Sequence, residues 1–365
     1  MAGVYISYPF CGQKCTYCNF ASGISSTELS DNYIQVLCAE LSGYPWAWRP
    51  ETVYLGGGSP SRLDGTVLAN VLSNVPSSAW REATIEAAPG EITAEKASAW
   101  ISAGINRVSL GVQSFVQREL SRTGRRHTAE IVAEQVSLLR TIGIERINID
   151  LIAGLPGQTE SSWRTSLDWV ERLDVGHTSV YMLEVDNDSR LGKELLAGGS
   201  RYGAAEVPAE SEIVQFYEIA VERLAHMGLF RYEISNFARP GEESLHNLKY
   251  WRLEPYTGFG ADAHSFDGFS RRRNAEIAAE YVARWQQSLP FQVEQTSARR
   301  DEEKFFVGLR LTEGIQPAPE EWKRFEQPIS QFVSAGLLQR DRDRLKLTPK
   351  GILLSNEVFQ EFVAL

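Results

Sequence analysis

Long hydrophobic runs are missing: no stretch of the 365 residues comes near the roughly 18 consecutive apolar residues that span a bilayer, and the N-terminus has no signal-peptide layout. A cytoplasmic protein is the expectation. Cysteine is scarce, with four in the chain, which excludes a disulfide scaffold. An excess of basic charge is also lacking. The formal net charge is -10 and the pI is near 5.2, so the surface is not built to neutralise phosphates and nucleic acid is not expected as a partner. The run Arg271 to Arg273 reads as a solvated loop.

What is present is ample apolar material, 43% against 23% charged residues, enough for a large core in two or three domains. From residue 3 to about 235, short β-branched runs alternate with longer stretches of helical spacing, the pattern of parallel βα units. The strand candidates are Val4 to Tyr8, Thr52 to Leu55, Thr84 to Ala87, Arg107 to Gly111, Arg146 to Leu151 and Thr178 to Leu183. Helices are predicted over Asn32 to Leu41, Ala94 to Ala103, Ala129 to Thr141, Ser161 to Leu173 and Glu212 to Met227, with Gly143, Gly176 and Gly228 as stops. Six such units predict an open or closed α/β barrel, with ligand sites in the loops after the strands. After Gly241 the alternation stops and an aromatic-rich stretch runs from Leu245 to Phe269. Helix-like Ile329 to Leu338, strand-like Arg344 to Thr348 and helix-like Gly351 to Phe362 predict a small winged-helix-type module without a strong basic face.

Three of the four cysteines fall within eight residues, Cys11, Cys15 and Cys18, in the loop after the first strand candidate. The spacing is C-x3-C-x2-C, and thiolates are the usual ligands of iron–sulfur clusters. Three cysteines on a cubane leave one iron open, the position at which S-adenosylmethionine could bind through its amino and carboxylate groups. Phe10, Tyr17 and Phe20 flank the thiolates with apolar surface. A zinc knuckle is the competing reading, but structural zinc takes four ligands and no histidine lies near; Cys38 falls on a helix candidate beside Leu37 and Ala39.

The motif and its context resemble the radical S-adenosylmethionine superfamily. Tyr5 to Cys11, Gly56 to Pro60, Gly111 to Phe115, Asn148 to Ile152, Gly154 to Thr159 and Tyr232 to Phe237 are, in this order, similar to the branch that holds oxygen-independent coproporphyrinogen III oxidases and HemW-like heme chaperones. The resemblance implies an α/β fold, a partial (β/α)6 barrel, with a C-terminal α+β extension and a winged-helix-like module. It divides the chain into a core at 1–235, an aromatic-rich extension at 236–300 and a module at 301–365. It implies a [4Fe-4S] cluster on the three cysteines, and S-adenosyl-L-methionine contacts at Tyr5, Tyr17, Gly57, Gly58, Ser59, Glu86, Gln113, Arg125, Asp150 and His264. Ser7, Tyr8, Ser59 and Ala87-Ala88-Pro89 depart from the branch's usual residues without removing a cluster ligand.

Two features separate the members of the branch. The oxidases carry another cysteine where Phe20 stands, and a long segment before the motif, whereas ten residues precede Cys11 here. His246-Asn247-Leu-Lys-Tyr250-Trp251 is similar to the chaperone signature H-N-x-x-Y-W. An imidazole suits heme iron and the Tyr and Trp faces suit a macrocycle, so His246, Asn247, Tyr250 and Trp251 are the heme candidates. Packing of Tyr250, Trp251 and Tyr256 under a loop, with His246 in an ordinary hydrogen bond, is the alternative. The resemblance favours a chaperone that binds heme and transfers it to hemoproteins such as respiratory-chain cytochromes, rather than an enzyme. A homodimer and peripheral membrane contact belong to the same expectation. The alternative is a radical enzyme of porphyrin metabolism, an oxidase or a methyltransferase.

Overall fold

A computed structural model describes residues 2–19, 21–76 and 79–363. Six parallel strands lie side by side in chain order: β1 (Gly3–Tyr8), β2 (Thr52–Gly57), β3 (Glu82–Ala87), β4 (Arg107–Gln113), β5 (Arg146–Ala153) and β6 (His177–Met182). Val4, Ile6, Val53, Leu55, Ala83, Ile85, Val108, Leu110, Ile147 and Ile149 are buried on the face covered by the intervening helices. Because side chains alternate along a strand, Tyr5, Tyr54, Glu86, Ser109, Asn148, Asp150 and Tyr181 point the other way, into the lumen. One face thus supplies the hydrophobic core and the other a polar lining.

The sheet does not end with the sixth strand. Short β7 (Phe230–Arg231) and β8 (Asn236–Ala238) pair antiparallel beyond β6. On the other side β9 (Tyr256–Phe259) pairs parallel with β1, and β10 (His264–Phe266), β11 (Ser270–Asn274) and β12 (Gln292–Ser297) follow antiparallel. The result is one 12-stranded sheet in which β1 and β6 are never neighbours, a barrel left open. The aromatic stretch from Leu245 therefore extends the barrel sheet through β9 and β10.

Two expectations need correction. The helix Glu160–Leu173 ends on Asp174 at φ 50°, whose N–H reaches the carbonyls of Val170 and Glu171, so Gly176 is not its stop; Gly143 at φ 106° and Gly228 at φ 78° do close theirs. Arg271 to Arg273 form β11 rather than a solvated loop. Arg271 is bidentate to Glu303 at 2.9 and 2.8 Å, Arg272 pairs with Asp267, and Arg273 reaches Glu294 at 3.1 Å.

Near the C-terminus the helix Glu326–Ser334 precedes a hairpin of β13 (Leu338–Asp341) and β14 (Arg344–Leu347). The last helical stretch is broken at Leu354 into Pro349–Leu353 and Ser355–Gln360. Phe305, Phe325 and Phe362 form the aromatic centre of this module, with ring centroids 4.4 to 5.5 Å apart. Among the described residues no helix is long and apolar enough to cross a membrane.

Candidate functional site

The loop after β1 is closed at its neck. Cys11 N–H reaches the Gly23 carbonyl at 3.0 Å, and Gly23 N–H reaches that of Pro9 at 2.9 Å. Its tip is held from outside, since Thr16 N–H meets the Thr123 carbonyl at 3.2 Å and Leu191 N–H meets the Thr16 carbonyl at 2.9 Å. Cys11, Cys15 and Cys18 are unbridged and half-buried on this loop; Phe20 lies outside the described residues. Burial, and then the neighbouring Cys18 and Cys15, push the Cys11 thiol up. Among the described residues no three His, Cys, Asp or Glu side chains converge to hold a single metal ion. Three thiolates on one loop are the donor set that a [4Fe-4S] cluster takes, one per iron, whereas structural zinc takes four ligands. Tyr17 and Arg125 stand beside Cys15: burial alone would depress the guanidinium, but Tyr17 and Cys15 hold it above its ordinary value. A cavity of ≈ 370 Å³ is lined by Lys14, Cys15 and Cys18 on one side and by Asp186, Asp188, Ser189 and Arg190 on the other.

The glycines after β2 have a packing reason that the sequence does not reveal. Gly58 N–H meets the Tyr8 carbonyl at 2.7 Å and Ser59 N–H the Phe10 carbonyl at 2.9 Å, which lays this turn directly on the cysteine loop. A Cβ on Gly58 would stand 2.4 Å from the Phe10 oxygen. Gly57, at φ 111°, donates its N–H to Glu86 Oε2 at 3.0 Å.

Glu86 also accepts from the Tyr54 hydroxyl at 2.8 Å. Burial, with Asp150 nearby, pushes its carboxyl up to about 7. Asp150, likewise raised by burial, accepts from Ser109 Oγ at 3.0 Å and from Asn148 Nδ2 at 2.7 Å. Arg125 Nη1 donates to the Gly111 carbonyl at 2.9 Å, and Gln113 sits at φ 71° where the pairing of β4 with β5 slips. Tyr5 stacks on Tyr54 at 6.1 Å. The expected nucleotide contacts thus form a connected arc across the barrel mouth, apart from His264, which is exposed on β10.

The H-N-x-x-Y-W segment is the helix Leu245–Trp251, capped by Ser244. Glu82, fully buried and paired with Arg107 at 3.5 Å, accepts from the N–H of His246 at 2.9 Å and of Leu245 at 3.1 Å, anchoring this helix beneath the lumen. His246 is itself fully buried. Its Nδ1 meets Thr52 Oγ1 at 2.9 Å, its Nε2 meets the Tyr250 hydroxyl at 2.8 Å, and its ring stacks on Tyr54. Burial pushes it down to about 3, so it is a neutral imidazole. In this arrangement both ring nitrogens are engaged within the protein, as the alternative reading of an ordinary hydrogen-bonded histidine has it. Asn247, Tyr250 and Trp251 line a cavity of ≈ 330 Å³ together with Tyr5, Tyr54 and Glu86. Tyr181, Glu233 and Arg310 also line it; sequence reasoning did not single them out, although Glu233 falls within the segment Tyr232 to Phe237 and Tyr181 within a strand candidate.

Open parallel barrel, three-cysteine loop and glycine turn together define a radical S-adenosylmethionine fold. Residues 5–170 match the family model of the Radical SAM superfamily, and residues 296–354 that of the HemN C-terminal domain. The heme chaperone HemW of Bacillus subtilis (strain 168) is 34% identical over 384 residues, covering 100% of this chain and 99% of that one. HemW of Lactococcus lactis subsp. lactis (strain IL1403) is 32% identical, covering 98% and 96%. The coproporphyrinogen III oxidase HemN of Escherichia coli superposes with a TM-score of 0.85 over 100% of this chain and 90% of that one, at 20% identity, a likeness of fold. The chain belongs to the HemW family within the radical S-adenosylmethionine superfamily.

Proposed function

We propose that this protein is a heme chaperone, binding heme and passing it to hemoproteins such as respiratory-chain cytochromes. The reading places it in the cytoplasm, with acceptor hemoproteins and a second copy of itself as partners. Supporting it is the aromatic-walled cavity of Asn247, Tyr250 and Trp251, directly below the arc of polar side chains, in a chain aligned end to end with heme chaperones. Residues 1–235 form the cofactor-binding core in this reading, 236–300 carry the heme-contacting helix, and 301–365 contribute Arg310 to the cavity.

Cys11, Cys15 and Cys18 would hold a [4Fe-4S] cluster. Such a cluster leaves one iron open to the amino and carboxylate groups of S-adenosylmethionine. Around it, Glu86 offers a carboxylate to an ammonium group, Arg125 and Gln113 offer donors to a carboxylate, and Asp150 accepts from hydroxyls. Tyr5 and Tyr17 give flat walls, and Gly57, Gly58 and Ser59 let backbone approach closely. His264 closes the arc only by reorienting from its exposed position.

The test is a titration of anaerobically reconstituted protein with heme. A saturable Soret shift near one heme per chain supports the chaperone; no shift removes it.

A further inference from the structure

The lumen cavity ends in a corner whose hydrogen bonding is incomplete. Glu233 is fully buried there, its Oε1 accepting from Ser235 N–H at 3.1 Å and from the Asn236 amide. Among the described residues its Oε2 has no partner, and neither has the indole N–H of Trp251 nor the Nε–H of Arg310, both on the same cavity. Arg310 lies over the Trp251 ring, 4.6 Å from its centroid, and among the described residues no carboxylate pairs with it within 4 Å. Its position is set by the backbone: Glu233 bridges to Leu311, and Thr312 N–H meets the Tyr232 carbonyl at 3.0 Å.

Buried polar atoms without partners are uncommon and costly, and three of them on one cavity form a gap of defined chemistry. Trp251 and Arg310 supply only donors, and the guanidinium is always charged. Burial pushes the Glu233 carboxyl up while the Arg310 guanidinium pulls it down, so the two groups sense one another across this corner. The matching group accepts from the indole and the guanidinium and carries negative charge. Water would satisfy single hydrogen bonds but would bring no counter-charge. Of the remaining walls, Tyr54, Tyr181 and Tyr250 are flat and largely apolar, while Glu86, Ser235, Asn236 and Asn247 are polar.

We propose that the Glu233–Trp251–Arg310 corner binds a carboxylate carried on a flat apolar body. Resting on the chaperone reading, that carboxylate is a propionate of heme; a free aromatic acid is the other source of the same chemistry.

The experiment titrates ferric heme, heme dimethyl ester and 3-phenylpropionate into reconstituted wild-type protein, Arg310→Gln and Glu233→Gln. Wild type should bind heme about tenfold or more tighter than the ester. Arg310→Gln should lose that preference, while Glu233→Gln, which leaves the indole and the guanidinium in place, should retain it. 3-Phenylpropionate should raise the Tm of wild type and not of Arg310→Gln. Should Arg310→Gln not fold, Trp251→Phe, which removes the indole N–H and keeps an aromatic ring, reads the same preference. Equal affinity of wild type for heme and ester, or an undiminished preference in folded Arg310→Gln or Trp251→Phe, overturns the proposal. If wild type takes up no heme yet 3-phenylpropionate still stabilises it through Arg310, the chaperone reading falls and the carboxylate corner stands.

Discussion

Gly58 and Phe10 touch backbone to backbone: a Cβ on the glycine would lie 2.4 Å from the phenylalanine's carbonyl oxygen. The turn after β2 and the cysteine loop after β1 are thereby one packed unit. Gly58→Ala should lower stability by roughly 1–3 kcal/mol and reduce the iron retained after anaerobic reconstitution. Iron analysis and thermal unfolding read both effects; unchanged values for both would show that the two loops move independently.

The four cysteines should divide three to one. Alanine at position 11, 15 or 18 should each abolish most bound iron and sulfide. Cys38→Ala should leave the metal content alone, because Cys38 lies on the helix Thr27–Gly43 as an acceptor for Asn70 Nδ2 at 3.5 Å. Equal iron loss in all four variants would contradict the assignment.

Glu86 is poised between Tyr54 and Gly57, the lumen and the glycine turn. Glu86→Gln preserves its size but removes the charge that an ammonium group would meet. S-adenosylmethionine affinity should fall about tenfold or more, with the cluster absorbance intact. Calorimetric titration decides, and wild-type affinity in the variant would remove Glu86 from the site.

His246 links stability to pH. Its folded value of about 3 lies below the ordinary 6.5, so below pH 6.5 the unfolded chain takes up a proton that the folded one refuses. The contribution is complete above 6.5 and is lost as pH falls, at about 1.4 kcal/mol per pH unit. Glu86 and Glu40, pushed up to about 7 chiefly by burial, act in the opposite sense between 4.5 and 7. Chemical unfolding of wild type and His246→Gln between pH 5 and 6.5 therefore has to be compared as a difference. The variant's stability should depend less on acid by about one proton; parallel curves would mean that His246 is not buried as a neutral ring.

The sequence reveals strands where a β-branched run is flanked by glycine or polar residues, and all six barrel strands lie within two residues of their expected limits. It does not reveal β9, whose Tyr256–Phe259 carries two aromatics and a glycine and becomes a strand by pairing with β1. The cysteines were legible because their spacing is local. Glu233, Trp251 and Arg310 meet only through long-range packing, and no local pattern links positions so far apart. His246 was legible as a residue of interest but not in its role, because Glu82, which fixes its helix, lies 164 positions away.

The sheet has two free ends, at β7 and at β12, and this sets how the molecule can deform. A ring of strands widens only by breaking a rung of its ladder. An arc widens by small changes of twist shared across every pair, with all rungs kept. An open arc of this kind can change its bore without unpairing any strand, which a closed ring cannot do.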